Sequence, residues 1–347
     1  MSSPSHSHSQ PPHPSQLSRV RGRQTKILVL NPNSSAAMTD GLRSAVEDSI
    51  LDLGYATEVH AYTAPSPAAP ASIDDAAGIT QSAAAVLADP LLRGPHPDPS
   101  SGDSRGNAWA DDYDGILVAC FSVHPLVREL LRSGGAPGSG SGSGGGGRAG
   151  ANSPSSSASS RPSRARAVIG IFEASILAAL LLLPPPPPTS PPSFASSFPS
   201  TFEQQQQQQW GIVTTGKFWE EHLSEGVRSF LGSGNGNSSR FAGVQSTGLN
   251  ASDFHSGVSP EVVRQKLGEA TKRLLGGGRT TVIVMGCAGM AGLEEIIRGA
   301  AAEEVSERFA YDLLHVVDGV RAGLLQLDSM IKHQRLRAPR TASYLGS

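Results

Sequence analysis

Residues 115–120 read GILVAC and residues 280–287 read TTVIVMGC, two short apolar runs that each lead into a cysteine. An apolar run of this length, bounded by turn residues, fits a strand buried on both faces, as in a parallel sheet covered by helices. The same grammar recurs on either side. Ile27–Leu30 (ILVL) predicts a first strand, Asn31-Pro32-Asn33-Ser34-Ser35 a turn, and Met38–Leu53 a helix with apolar residues at Leu42, Val46, Ile50 and Leu53. A strand over Ala56–Tyr62, a helix over Ile73–Ala88 and a helix around Val127–Leu131 complete a first half. The second half repeats the theme. Its strands are Ala167–Ile171, Trp210–Val213, Phe241–Gln245 and Thr280–Met285, and its helices start at Glu173, Phe218, Glu261 and near Met290. Strands alternating with helices specify an α/β fold with a mainly parallel sheet.

Composition limits how much of the 347 residues can fold, with 39 Gly, 26 Pro and only 38% hydrophobic residues. Five stretches have the low-complexity or Pro/Gly/Ser-rich make-up of unstructured chain: 1–24, 89–110, 133–165, 184–209 and 336–347. About 230 residues remain, enough for one domain or two small lobes with a real core. The inserts read as surface loops or tethers, because a proline run followed by six glutamines (Gln204–Gln209) cannot lie inside a packed βα unit.

The charge balance, 28 basic against 30 acidic side chains and a net −2, provides no basic stripe for nucleic acid. Two cysteines, Cys120 and Cys287, without a CxxC or a Cys/His cluster, exclude a disulfide scaffold and speak against structural zinc. No metal is expected, and His6, His8 and His13 in the tail read as incidental. A reduced, cytoplasmic setting fits. The N-terminus lacks the apolar core of a secretory signal, although its Ser and Arg content without acids has some transit-peptide character. The longest apolar run, Ala167–Leu183, carries Glu173 and is too short to span a bilayer, so no membrane association is expected.

A cysteine between the carboxyl end of a parallel strand and a helix lies where open α/β sheets bind ligands. Helix N-termini favour thiolate over thiol, so a pKa below the ordinary value of about 8.5 is expected, and such a thiol moves protons near neutrality. The competing reading is that both cysteines are small buried hydrophobes. Their flanks favour chemistry. Gly286-Cys287-Ala288-Gly289 lets backbone N–H groups approach a ligand, and Phe121 and Ser122 follow Cys120. Asn31, Asn33 and Ser35 after the first strand, with Thr214 and Thr215 after another, add short polar groups at the same sheet edge. The candidate substrate-binding set is therefore Asn31, Asn33, Ser35, Phe121, Ser122, Thr214, Thr215, Gly286, Ala288 and Gly289. His124 could tune Cys120 or pair with it as a nucleophile, but the start of a helix is its default role. Glu173 and Asp318 read first as helix caps.

Six blocks in order, ILVLNPNSS, DGILVACFS, VIGIFEAS, WGIVTTGKFW, VIVMGCAGM and VVDGV, resemble the aspartate/glutamate/hydantoin racemase superfamily. The likeness is greatest to its hydantoin racemase branch, including fungal members, and it covers essentially all the foldable residues. The resemblance implies two pseudo-symmetric α/β lobes, each a mainly parallel four- to five-stranded sheet flanked by helices, with the active site in the cleft between them. It also implies no cofactor and a catalytic cysteine pair, which by position is Cys120 and Cys287. The implied organisation is lobe 1 at 25–132, completed by 316–335, and lobe 2 at 166–315. The chain departs from many of the branch's enzymes after Cys120, where it has Ser-Val-His-Pro instead of an acidic residue and Pro.

The resulting expectation is cofactor-independent racemisation or epimerisation of a 5-substituted hydantoin or an allantoin-like ureide by two-cysteine proton transfer. Amino-acid racemisation, maleate-type isomerisation and a non-catalytic ureide sensor are the alternatives. The only partner expected is a small-molecule substrate; self-association into a homo-oligomer stays open.

Overall fold

The computed structural model describes residues 24–53, 57–93, 112–133, 166–185, 208–232, 240–254 and 257–337. The first half runs β1 (Thr25–Asn31), α1 (Ala36–Leu53), β2 (Thr57–Thr63), α2 (Ala76–Ala88), the one-turn α3 (Pro90–Arg93), β3 (Gly115–Val118), α4 (Pro125–Ser133), β4 (Ala167–Gly170) and α5 (Ile171–Leu182). The second runs β5 (Gln209–Thr214), α6 (Phe218–Leu231), β6 (Phe241–Ser246), α7 (Pro260–Leu275), β7 (Thr280–Met285), α8 (Glu294–Glu304), β8 (His315–Asp318) and α9 (Gly319–Arg337). Local chemistry sets several boundaries. Asp75 caps α2 by accepting Gly78 N–H at 2.7 Å. Ser259 caps α7, Pro260 occupies its first turn, and Gly276 ends it with φ of 55°.

Two four-stranded parallel sheets result, ordered β2-β1-β3-β4 and β6-β5-β7-β8. The matching orders make β3 and β7 equivalent, so the turns that carry Cys120 and Cys287 are equivalent too. The fold is therefore the two-lobe α/β arrangement implied by the resemblance.

Period-2 geometry explains why the strands are apolar throughout. Ile27, Val29, Leu117, Val282 and Val284 point into one core cluster that runs through both lobes and includes Phe172, Trp210 and Trp219. Leu28, Leu30, Ile116 and Val118 point the other way, into a core under α2 and α4, while Ile283 and Met285 pack with α7 and α8.

Several boundaries differ from the sequence reading. The lobe division placed residues from 166 in the second lobe, but β4 pairs with β3 in the first sheet. It likewise gave 316–335 to the first lobe; β8 instead pairs with β7 in the second sheet, while α9, the greater part of that stretch, does pack on the first. The helices that follow exchange sides: α5 packs on β7 and β8, whereas α9 packs on β3, β4 and α1. Ile171 starts α5 and does not end a strand. The supposed insert at 89–110 begins late: Asp89 is buried and accepts a 2.5 Å hydrogen bond from Tyr62 Oη. The 184–209 insert is anchored at both ends, since Arg240 donates to Pro184 O at 2.6 Å and to Gln208 O at 3.1 Å, and Gln209 belongs to β5. At the C-terminal end, α9 continues through Arg337. The tail histidines and the 133–165 linker beyond Ser133 lie outside the described residues.

Candidate active site

Both cysteines open onto one narrow cleft at the carboxyl edges of the two sheets, with a cavity volume of only about 30 Å³. Asn33 and Met38 line it after β1, Ile73 after β2, Ala119, Cys120 and Phe121 after β3, Thr215 after β5, and Gly286, Cys287 and Ala288 after β7. Trp219 from α6 and Ala251 close the wall. No charged side chain is among these twelve. A wider groove between α7 and α8, lined by Glu261, Arg264, Glu269, Lys272 and Glu303 among others, shares no residue with the cleft.

The turns are held by their own polar groups. Asn31 is fully buried and donates from Nδ2 to Asn33 Oδ1 and Thr39 Oγ1, both at 3.0 Å. Ser35 Oγ caps α1 by accepting Met38 N–H at 3.2 Å. Thr214 Oγ1 donates to Gly286 O at 3.0 Å, and Gly286 N–H donates to Val213 O at 2.7 Å, which together fix the peptide just before Cys287. Of the sequence candidates, Asn33, Cys120, Phe121, Thr215, Gly286, Cys287 and Ala288 therefore meet at the cleft. Asn31, Ser35, Ser122, Thr214 and Gly289 lie outside its wall and support it from behind.

The thiols do not sit at helix starts. Cys120 precedes Pro125, the first residue of α4, by an intervening turn, and Cys287 caps only a three-residue 3₁₀ turn, Ala288–Met290. The expected lowering of their pKa is accordingly absent. Burial pushes the Cys120 thiol up to about 12; a hydrogen bond from Ser122 opposes this, and the charges of Cys287, Glu173 and Asp74 add to it. Burial pushes Cys287 up to about 11, opposed by Gly289 N–H and assisted by Asp74. Each cysteine is half-buried, open to the cleft and packed by protein elsewhere. A helix dipole falls off within its first turn, so desolvation wins at both sites.

The sequence profile of the Asp/Glu/hydantoin racemase family matches residues 27–140 and 195–327, which span both cysteines. The chain belongs to that family. Membership makes this racemase an isomerase. It is 24% identical over 314 residues to the Saccharomyces cerevisiae protein DCG1, covering 89% of this chain and 97% of that one. Its fold is similar to an allantoin racemase from Klebsiella pneumoniae, with a TM-score of 0.55 and 19% identity, over 89% of each chain. It is also similar to an allantoin racemase from Pseudomonas fluorescens, with a TM-score of 0.56 and 17% identity, over 93% of this chain and all of that one.

Near the racemase cleft, His124 and Asp318 have structural partners, whereas Glu173 Oε2 is buried without a hydrogen-bond partner among the described residues. His124 is buried, its Nε2 lies 3.1 Å from Ser82 Oγ, and its Nδ1 accepts Leu126 N–H at 3.3 Å. Desolvation pushes it down to about 4, so it is a neutral residue at the start of α4. Asp318 caps α9 by accepting Arg321 N–H at 2.8 Å. Glu173, in the first turn of α5, has its carboxyl pushed above the usual range by burial. The sequence reading missed Met38, Ile73, Ala119, Trp219 and Ala251 on the wall. Trp219 did fall within the WGIVTTGKFW block, but an apolar side chain facing a cleft carries the same signal as one facing a core.

Proposed function

We propose that the racemase inverts the stereogenic carbon of a neutral cyclic ureide, a 5-substituted hydantoin or an allantoin-like compound, by proton transfer between Cys120 and Cys287. The carrying observation is that two cysteines from equivalent turns of two lobes share one cleft whose lining holds no charged side chain. One cysteine, as thiolate, takes the proton from carbon, and the other, as thiol, returns one to the opposite face. The electron pair passes to the adjacent carbonyl oxygen, where the backbone N–H groups of Cys287 and Ala288, between the engaged N–H groups of Gly286 and Gly289, stabilise the negative charge. The roles of the cysteines exchange for the opposite enantiomer, and no cofactor enters the scheme.

The raised thiol values shape this chemistry. With a pKa of about 11, Cys287 is thiolate in about one molecule in ten thousand at neutral pH. That thiolate is a correspondingly stronger base, so part of what is lost in population returns as proton affinity. A neutral substrate suits such a site, because it adds no further negative charge near two thiols that already feel Asp74.

The allantoin racemases of similar fold support the ureide reading, and the free cysteines suit a reducing compartment such as the cytoplasm. Among the described residues no helix is long and apolar enough to cross a membrane. Polarimetry on enantiopure allantoin, an enantiopure 5-substituted hydantoin and L-glutamate, with maleate followed by its absorbance, tests the proposal. Rotation should decay for a ureide and persist for glutamate. Turnover of glutamate or maleate alone would assign a different substrate class. Binding of ureides by thermal shift without any turnover would make the protein a sensor.

A further inference from the structure

The two thiols occupy equivalent turns but have unlike partners. Cys287 Sγ accepts Gly289 N–H at 3.4 Å, and a backbone N–H can only donate. Cys120 Sγ lies 3.4 Å from Ser122 Oγ, where either atom can be the donor. Ser122 is fully buried and absent from the cleft wall, and its own N–H donates to Cys120 O at 3.0 Å. Its hydroxyl is thus held on the sulfur, on the side away from any ligand. The sequence reading had assigned Ser122 to the substrate.

We propose that Ser122 is a positioning residue whose hydroxyl follows the protonation state of Cys120, accepting from S–H in the thiol and donating to S⁻ in the thiolate. This inference rests on the proton-transfer reading above and makes the two cysteines inequivalent. When Cys120 is the base, the substrate C–H bond breaks, an S–H bond forms, and the electron pair moves to the carbonyl oxygen. Ser122 keeps its own proton throughout and only reorients. Cys287 has no such reversible partner in Gly289: its backbone N–H favours the thiolate and cannot accept from the thiol S–H.

The surroundings show why a reversible donor matters at Cys120. Burial, Cys287, Glu173 and Asp74 all disfavour its thiolate, and the Ser122 hydroxyl opposes them. His124 follows closely in the chain but is neutral and engaged with Ser82 and Leu126. A hydrogen bond to a charged group shifts such an equilibrium by roughly tenfold.

The test is site-resolved alkylation of wild type, Ser122→Ala and Ser122→Thr with iodoacetamide from about pH 7 to about pH 11, each cysteine being quantified separately by mass spectrometry. Cys120 should react about tenfold more slowly at a given pH in Ser122→Ala and recover in Ser122→Thr, which restores the hydroxyl. Cys287 should keep its wild-type profile, and so reports an intact fold in the same sample. An unchanged Cys120 profile in Ser122→Ala, a joint slowing of both cysteines, or a loss that Ser122→Thr fails to restore would overturn the proposal. Alkylation needs no turnover, so its result stands apart from the substrate panel. Racemisation without a Cys120 shift removes the role of Ser122 alone, while a shift without racemisation removes the proton-transfer reading alone. If both hold, Ser122→Ala lowers kcat/KM equally for the two enantiomers, because a racemisation has an equilibrium constant of one. Its kcat and KM are free to change unequally.

Discussion

Gly286→Ala is the substitution that links sheet packing most directly to the site. A Cβ on Gly286 would lie 2.6 Å from Ile212 Cγ2, 2.9 Å from Val213 O and 3.1 Å from Thr214 Cβ. Carbon atoms at optimal contact are about 3.5–4.0 Å apart, so the overlap with Ile212 is on the order of 1 Å. The carbonyl of Val213 is part of β5 and cannot yield as a side-chain tip would. The Gly286 peptide must therefore move, which breaks or stretches its bonds to Val213 O and from Thr214 Oγ1. Overpacking costs about 1–3 kcal/mol and the two hydrogen bonds about 1 kcal/mol each, giving about 3–5 kcal/mol in all. For a folded core of this size that lowers Tm by about 6–20 °C. Since Cys287 is the next residue, a displacement on the order of 1 Å should reduce racemisation by about 10²-fold. Gly299→Ala is the control: its Cβ meets nothing within 4 Å, and within α8 it should stabilise by about 0.5–1 kcal/mol. Thermal melts with polarimetry on both variants decide the matter. Unchanged Tm and rate in Gly286→Ala would refute the close approach of the turn to β5.

Three other perturbations follow from the same geometry. Because folding holds both thiols above their ordinary range of about 8.5–9, the stability they contribute is fully present below that range and is lost as pH rises toward 11 and 12. Denaturant melts should fall more steeply above pH 9 in wild type than in the Cys120→Ser/Cys287→Ser double variant, and parallel curves would contradict the burial of the thiols. His124 runs in the opposite sense: its folded value near 4 means that stability is present above the ordinary 6.5 and is lost as pH falls toward 4. Acid titration of His124→Gln should show a flatter decline than wild type over that window. Trp219→Ala enlarges the cleft wall, so 5-substituents bulkier than those wild type accepts should gain in kcat/KM while the smallest lose; a uniform loss across substrates would show that Trp219 only supports the fold.

Much of this arrangement was legible because the strands are buried on both faces. GILVAC and TTVIVMGC announced β3, β7 and the turns that bring Cys120 and Cys287 together. Sheet membership was not legible: β4 and β8 have the same apolar signature in either lobe, and the crossing of α5 and α9 is decided only by tertiary packing. The thiol environment was misread for a related reason. Cysteines placed between a strand and a helix were expected to feel the helix dipole, but Val123-His124 and the Ala288–Met290 turn intervene, and the desolvation that replaces it depends on distant neighbours. Asn31 and Ser35 looked like ligand-binding groups because a short polar side chain after a strand serves equally well to bind substrate, brace a turn or cap a helix. In this fold Asn31 braces its turn and Ser35 caps α1.

The two-cysteine mechanism is tested most directly by proton NMR of enantiopure allantoin and of an enantiopure 5-substituted hydantoin in D₂O, with wild type, Cys120→Ser and Cys287→Ser. Wild type should carry solvent deuterium into the stereogenic carbon as optical rotation decays, and neither single variant should racemise the substrate. Full racemisation by either variant would contradict the pairing of Cys120 with Cys287.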